Sequence, residues 1–145
     1  MIPPFLERVM MDHSEIAAEG SIEGVTLIAK AIERDFSVRV LKPPAPAMVM
    51  VRHAEPLENI LFLMGEAFVT ECEVEVDGIP GYGCTLGEAP VRALCGALLD
   101  AVVGGGHAAA AKVLPLLEAE EALIRERWTE ESRGAASTRV NFEVR

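Results

Sequence analysis

The chain has 145 residues, a hydrophobic fraction of 50%, a mean hydropathy of +0.26 and a net charge of −10 at pH 7. This length predicts a single domain, and the acidic balance argues against nucleic acid as a direct partner, because a phosphate backbone needs a basic face. No apolar run approaches the roughly 20 residues of a membrane span, and the three cysteines lack framework spacing, so we expect a cytoplasmic protein with reduced thiols and no membrane partner.

Residues 1–35 are predicted to form N-terminal helices. The opening MIPPFLERVMMDHSE has no basic stretch followed by an apolar one, so no signal peptide is expected. Pro3-Pro4 can open a short helix, because proline is tolerated in the first helical turn. Ser21 is the predicted N-cap of a second helix, whose apolar face carries Val25, Ile28 and Ile32.

Residues 36–86 are predicted to form consecutive antiparallel strands. FSVRVL and AMVMVR read as two strands separated by the connection Pro43–Pro46, because proline cannot donate to a strand ladder. After the polar loop HAEPLEN come the apolar run ILFLMGEAFV and the alternating strand TECEVEVDG. Asp77-Gly78 predicts a hairpin turn, with IPGYGCTL as the return strand.

The glycines of GYGCTLG raise the possibility of a phosphate-binding loop. Such a loop follows a strand and opens a helix, whereas Gly81 and Gly83 fall inside the predicted return strand. We therefore interpret these two glycines as a bulge or a close backbone approach beside Tyr82. Only Gly87 lies at the junction between strand and helix.

Residues 88–132 are predicted to form two helices joined at Gly104–Gly106, the second with Glu120 and Glu121 on a solvated side. Residues 137–145 alternate as STRVNFEVR and predict a terminal strand that joins a sheet edge of this chain or of a neighbour. The order of elements predicts an α+β fold with an antiparallel sheet of about five to six strands, flanked by N-terminal helices and two C-terminal helices.

Candidate chemical groups are few. Glu71, Glu73 and Glu75 on one strand face could gather a hard cation, but a solvated outer face is the favoured interpretation, and we predict no metal site. Cys95 reads as a core thiol. Arg52 and Arg139 are the better binding candidates, because a guanidinium suits phosphate or carboxylate, with a surface or inter-subunit salt bridge as the simpler alternative.

Five stretches in order, MVMVR, LMGEAFVTECEVEV, GYGCTLG, ALCGALLDAV and STRVNF, resemble the G-subunit family of the bacterial carbon–phosphorus lyase system. The resemblance is good over residues 42–100 and 137–142. The chain departs from the family pattern at the start of the helix after LG, at Asn141 where the family has Asp, and in its last residues.

The resemblance implies a single domain that is a small subunit of a multi-subunit core complex for phosphonate breakdown. With its sister subunits, this family supports transfer of an alkylphosphonate to the ribose C1 of MgATP, with release of adenine. It implies no catalytic residue and no cofactor bound by this chain alone. We predict that Arg139 and the region of Glu66 and Tyr82 lie at subunit interfaces, and that the isolated chain forms a homodimer.

Two other functions stay open from the sequence. One is a stand-alone homo-oligomeric module of the same fold that binds a small anion. The other is a small metal-dependent hydrolase that uses the glutamate strand, with Glu73 as its test position.

Overall fold

A computed structural model describes residues 11–142 of the chain, so the predicted helix opening at Pro3-Pro4 lies outside the described residues. Four helices and three strands follow one another as α1 (His13–Glu19), α2 (Ile22–Asp35), β1 (Val38–Ala54), β2 (Leu61–Val76), β3 (Ile79–Leu86), α3 (Pro90–Leu99) and α4 (Ala110–Ser137). A π-helical turn, Asp100–Gly104, extends α3 to the glycines where its end was predicted. The α+β class is confirmed.

The sheet has three long antiparallel strands in the order β1-β2-β3 in the described part of the chain, and the expected five to six are not found there. The two strands predicted on either side of Pro43–Pro46 are one continuous strand, β1. Two register shifts, between Val40 and Lys42 and between Lys42 and Ala45, accommodate this stretch. Prolines are tolerated here because β1 is an edge strand, and the side of the strand that lacks their N–H groups can face solvent instead of a neighbouring strand.

The central strand β2 likewise joins the apolar run ILFLMGEAFV, from Leu61, and the predicted strand TECEVEV into one. The hairpin between β2 and β3 is as predicted: Val76 pairs with Ile79 around a two-residue turn. Asp77 has φ of 48° and Gly78 has φ of 85°, and positive φ at both positions is what a type I′ turn requires.

Helix α3 packs directly against β3 at the two glycines of GYG. A Cβ atom on Gly81 would lie 2.1 Å from the carbonyl oxygen of Ala97, and one on Gly83 would lie 2.0 Å from that of Ala93. The register of β2 and β3 is continuous through both residues, so the predicted close backbone approach is correct and the bulge is not. The glycines bring a helix close to the sheet instead of holding a phosphate.

The core lies between the inner face of the sheet and the helices. Its largest fully buried side chains come from α1, α2, α3, α4 and the inner face of β2, and include Ile16, Ile28, Ile32, Val74, Leu98, Leu117 and Ile124. Cys95 is buried in this core, as predicted, and burial raises the pKa of its thiol to about 12.

The start of α2 is fixed by a buried carboxylate from α4. Ser21 caps the helix as predicted, accepting a hydrogen bond from the Gly24 N–H at 3.0 Å. Glu120, expected on a solvated side, is instead 6% exposed and accepts the Ser21 N–H at 2.8 Å. Glu121 is also buried, at 8% exposed, and pairs with Arg125 at 2.7 Å. Burial of these carboxylates is compensated because each has a hydrogen-bonding partner.

The predicted terminal strand is not formed in the residues that are described. Helix α4 continues to Ser137, and Thr138–Phe142 has no regular secondary structure. An alternating pattern gives only a preference for extended backbone, and in the described part of the chain this segment pairs with neither edge of the sheet. Residues 143–145 of the predicted strand lie outside the described residues.

One end of the sheet projects beyond the body as a two-stranded ribbon. β3 pairs with β2 only from Val69 onward, so residues 61–68 of β2 pair on one side only, with residues 48–54 of β1. We call residues 48–68 the arm. Most of its large apolar side chains are exposed, namely Met48, Met50, Val51, Leu57, Ile60, Leu61, Phe62, Leu63, Met64 and Phe68.

Candidate functional site

The arm carries two of the four binding candidates, Arg52 and Glu66, on the same face. Glu66 is the cross-strand partner of Met50, and Arg52 follows Met50 by two residues on β1. Cross-strand partners share a face, as do alternate residues of a strand, so all three side chains project to one side. Within residues 11–142 neither Arg52 nor Glu66 has an ion-pair partner within 4 Å, so both charges are free to meet groups from outside the chain.

The rest of that face of the arm is apolar. Met48 pairs with Phe68, and Leu63 pairs with Arg52 after a register shift that leaves Met64 as an extra residue on β2. This face continues the inner face of the sheet past the edge of the helices, because Glu66 and Phe68 alternate in step with the buried residues of β2. Methionine-rich surfaces of this kind adapt to the shape of a partner.

The opposite face of the arm is apolar as well. It carries Val51 and Phe62, with the Phe62 ring packed edge-to-face on His53 at 5.6 Å between centroids. Polar residues normally occupy the solvent side of an antiparallel ribbon, and a two-stranded ribbon alone is marginally stable in water. A ribbon that is apolar on both faces indicates an interaction surface.

The turn at the tip of the arm is stabilised by the side chain of Glu55. Its carboxylate accepts the Leu57 N–H at 2.9 Å and the Glu58 N–H at 2.8 Å. The bonds from Glu58 and then Leu57 lower the pKa of the Glu55 carboxyl below its ordinary value. The turn presents Leu57, 92% exposed, at the end of the ribbon.

Tyr82, the third candidate, lies on the body of the sheet and faces away from the arm's Glu66. Its cross-strand partner is Glu73, which is seven residues from Glu66 on β2. Because successive side chains of a strand alternate between faces, Glu73 and Glu66 project to opposite faces. The Tyr82 hydroxyl donates to the Glu71 carboxylate at 3.0 Å, and Lys42 forms an ion pair with the same carboxylate. Burial and then this bond raise the pKa of the Tyr82 phenol, which therefore stays a neutral donor.

Glutamates on this outer face form cross-strand contacts within the sheet. Lys42 and then Tyr82 lower the pKa of Glu71, and Arg39 forms an ion pair with Glu75, both across neighbouring strands. In the described part of the chain, no three His, Cys, Asp or Glu side chains converge as a metal site requires. Glu71 and Glu75 thus connect neighbouring strands on the outer face through ion pairs.

A shallow depression of about 280 Å³ lies beside Tyr82, where β3 meets the π-helical turn. The Tyr82 N–H donates to Asp100 at 2.9 Å, and the other oxygen of that carboxylate lies 3.6 Å from Nε2 of His13. The charged side chains that line the depression are Glu73 and Asp100, both acidic. A phosphate-bearing ligand would need a cation or a basic partner to bind here.

Sequence reasoning missed His13 and Asp100 as neighbours. They lie in α1 and after α3, and no spacing in the sequence relates them. The π-helical turn that carries Asp100 also gives no periodic signal, although such turns are frequent at functional sites.

Arg139, the fourth candidate, is exposed in the segment that follows α4. The structure thus brings Arg52 and Glu66 together on the arm, places Tyr82 on the other face of the sheet, and leaves Arg139 outside the sheet altogether. The four do not form one site.

Taken together, the fold and these surfaces define an acidic α+β protein whose sheet extends into an exposed apolar arm. Residues 11–145 match the model of the family described as phosphonate metabolism protein PhnG, and the chain belongs to that family. The resemblance drawn from the five sequence stretches is confirmed, and the family implies a role in phosphonate metabolism. No curated protein matches the chain. In the residues that the structure describes, none of the helices is both long enough and apolar enough to cross a membrane.

Proposed function

We propose that this chain is a small subunit of the carbon–phosphorus lyase core complex. In that complex it supports the transfer of an alkylphosphonate to the ribose C1 of MgATP, in which adenine is released and a ribose 1-alkylphosphonate 5-triphosphate is formed. The observation that carries the proposal is the family match over residues 11–145.

The electrostatics of the chain agree with a supporting role. The net charge is −10, and the depression beside Tyr82 is lined by Glu73 and Asp100. MgATP and a phosphonate are anionic, so their binding requires magnesium together with basic groups that sister subunits supply. We assign no catalytic residue and no bound cofactor to this chain, and MgATP is a substrate of the whole complex.

The arm is the surface best suited to assembly, because it is apolar on both faces and carries Arg52 and Glu66 without partners among the described residues. We also propose that Arg139 lies at a subunit interface. Replacing Arg139 with Ala is expected to weaken assembly, and normal assembly of R139A would remove Arg139 from the interface.

The experiment is co-expression with sister subunits from the same genome, with and without this chain, followed by size-exclusion chromatography. Adenine release from MgATP and methylphosphonate is then measured on each preparation. We expect co-elution, and adenine release only when the chain is present. If the chain elutes alone and its omission leaves adenine release unchanged, the subunit proposal fails and the anion-binding module becomes the leading function.

A further inference from the structure

The arm has a free strand edge as well as two apolar faces. The Phe68 carbonyl accepts the Gly87 N–H at 3.0 Å, so the backbone of Phe68 points toward the β3 side of β2. Alternate residues of an antiparallel strand direct their N–H and C=O groups to the same side. The backbone N–H and C=O of Glu66 are therefore also directed toward the β3 side of β2. β3 ends at Leu86, which lies opposite Val69. In the described part of the chain, residues 61–68 of β2 therefore have no strand partner on that side.

The size of the arm limits what can cover it. The two arm strands have seven and eight residues, 48–54 and 61–68, so at about 3.3 Å per residue the ribbon is roughly 25 Å long. One face then offers on the order of 300 Å², well below the roughly 800 Å² per partner of a stable interface. Both faces, the tip and the free edge together reach about 800 Å², so a stable interface confined to the arm has to enclose it.

The charge of the chain argues against a second copy as the occupant. Two copies each carry −10, so bringing them together along their length is opposed by repulsion. A neutral or basic partner has no such cost, and its own carboxylate and basic group can pair with Arg52 and Glu66.

The turn at the tip of the arm is ordered by hydrogen bonds within the chain. The Glu55 hydrogen bonds at 2.9 and 2.8 Å fix the turn, and Leu57 at its apex is 92% exposed. A turn that is already ordered loses little conformational entropy when it binds, and an exposed apolar side chain at the apex is suited to fill a pocket.

We propose that the arm inserts into an apolar cleft of a different, non-acidic subunit, which covers both faces and pairs a strand along the free edge of Leu61–Phe68. This inference rests on the proposed function, because it names the kind of subunit that the arm engages. The partner contributes an unpaired strand edge and a charge pair complementary to Arg52 and Glu66.

The test uses neighbouring residues on opposite faces of the arm. Leu63→Ser and Phe62→Ser each change one face, and Leu27→Ser, which removes a similarly exposed leucine (59% exposed) from α2, is the matched control. Each full-length variant is co-expressed with the sister subunits, and its affinity for them is measured after purification. We expect each arm variant to bind at least about 30-fold more weakly, as for the loss of an interface hot spot, and the control to bind like the unchanged chain.

A charge variant tests the arm without removing any of its apolar side chains, so a loss of arm folding does not explain its effect. Glu66→Lys leaves the exposed apolar residues in place, and we expect it to weaken binding by about 10-fold or more because it faces the partner's basic group. Thermal unfolding of every isolated variant, compared with the unchanged chain, establishes that the body is folded.

The outcomes separate this inference from the proposed function. Co-elution of the unchanged chain together with unimpaired binding by all three arm variants would overturn the inference and leave the subunit role intact. Weaker binding by only one of Leu63→Ser and Phe62→Ser would overturn the claim that the partner covers both faces of the arm. A dimer of the isolated chain that the arm variants dissociate would identify a second copy as the occupant, and no co-elution of the unchanged chain would overturn both proposals.

Discussion

The carboxylate of Glu120 holds the first turn of α2 from the neighbouring helix α4. It accepts the Ser21 N–H at 2.8 Å, and a Cβ atom placed on Gly24 would lie only 1.7 Å from one of its oxygens. Glycine at position 24 therefore makes room for a buried carboxylate, although alanine is the better residue in a helix.

Gly24→Ala is expected to lower the free energy of unfolding by about 1–3 kcal/mol, because it displaces Glu120 and leaves the Ser21 N–H without its partner. In the Glu120→Ala background the same change should cost little, since the obstructing side chain is gone. Urea unfolding of the four variants of this double-mutant cycle gives the coupling. Equal costs in both backgrounds would show that Glu120 is not what restricts position 24.

At the scale of secondary-structure elements, the contact between β3 and α3 depends on glycine. Gly83→Ala places a Cβ atom 2.0 Å from the Ala93 carbonyl oxygen, and backbone atoms cannot yield as a side chain can. We expect a loss of about 3 kcal/mol in the free energy of unfolding. Gly134→Ala in α4, where a Cβ atom would meet nothing within 4 Å, is the control and should gain about 0.5–1 kcal/mol. A Gly83→Ala protein as stable as the control would rule out the close approach.

The arm tip should loosen in acid. The pKa of Glu55 is lowered in the folded chain by the N–H groups of Glu58 and Leu57, so its contribution is present above the ordinary glutamate pKa and is lost as pH falls through the lowered value. We expect the NMR amide signals of Leu57 and Glu58 to shift together below about pH 4.5. In Glu55→Gln that joint shift should be absent, and a shift that persists there would assign the change to another group.

Local signals in the sequence predicted some elements well. Ser21 before an apolar helix face and Asp77-Gly78 between alternating segments each specify their structure through neighbours in sequence, and both are found. The merging of strands across Pro43–Pro46 was not predictable in this way, because it depends on β1 being an edge strand. The terminal segment shows the converse: its alternation favours a strand, but in the described part of the chain it pairs with neither edge of the sheet.

The candidate site was predictable only in part, for the same reason. Arg52 and Glu66 could be named from the sequence, but their common face depends on the pairing register of β1 with β2. The proximity of His13 to Asp100 and the burial of Glu120 arise from contacts between elements that are distant in the chain. No local spacing encodes them.

At the scale of the whole molecule, the body and the arm differ in what they bury. The body has a closed core between sheet and helices, whereas the arm exposes apolar residues on both faces. A protein of this construction completes its buried surface in an assembly. Together with membership of the phosphonate metabolism family, this favours a subunit over an independent enzyme.

The most direct measurement of that claim is an add-back titration. Purified chain is added to sister subunits prepared without it, and adenine release from MgATP and methylphosphonate is followed at each ratio. The subunit account predicts that adenine release rises in proportion to added chain and saturates when each complex holds its full complement. Release that is already complete without the chain, or that stays absent at every ratio while the chain remains unbound, would contradict it.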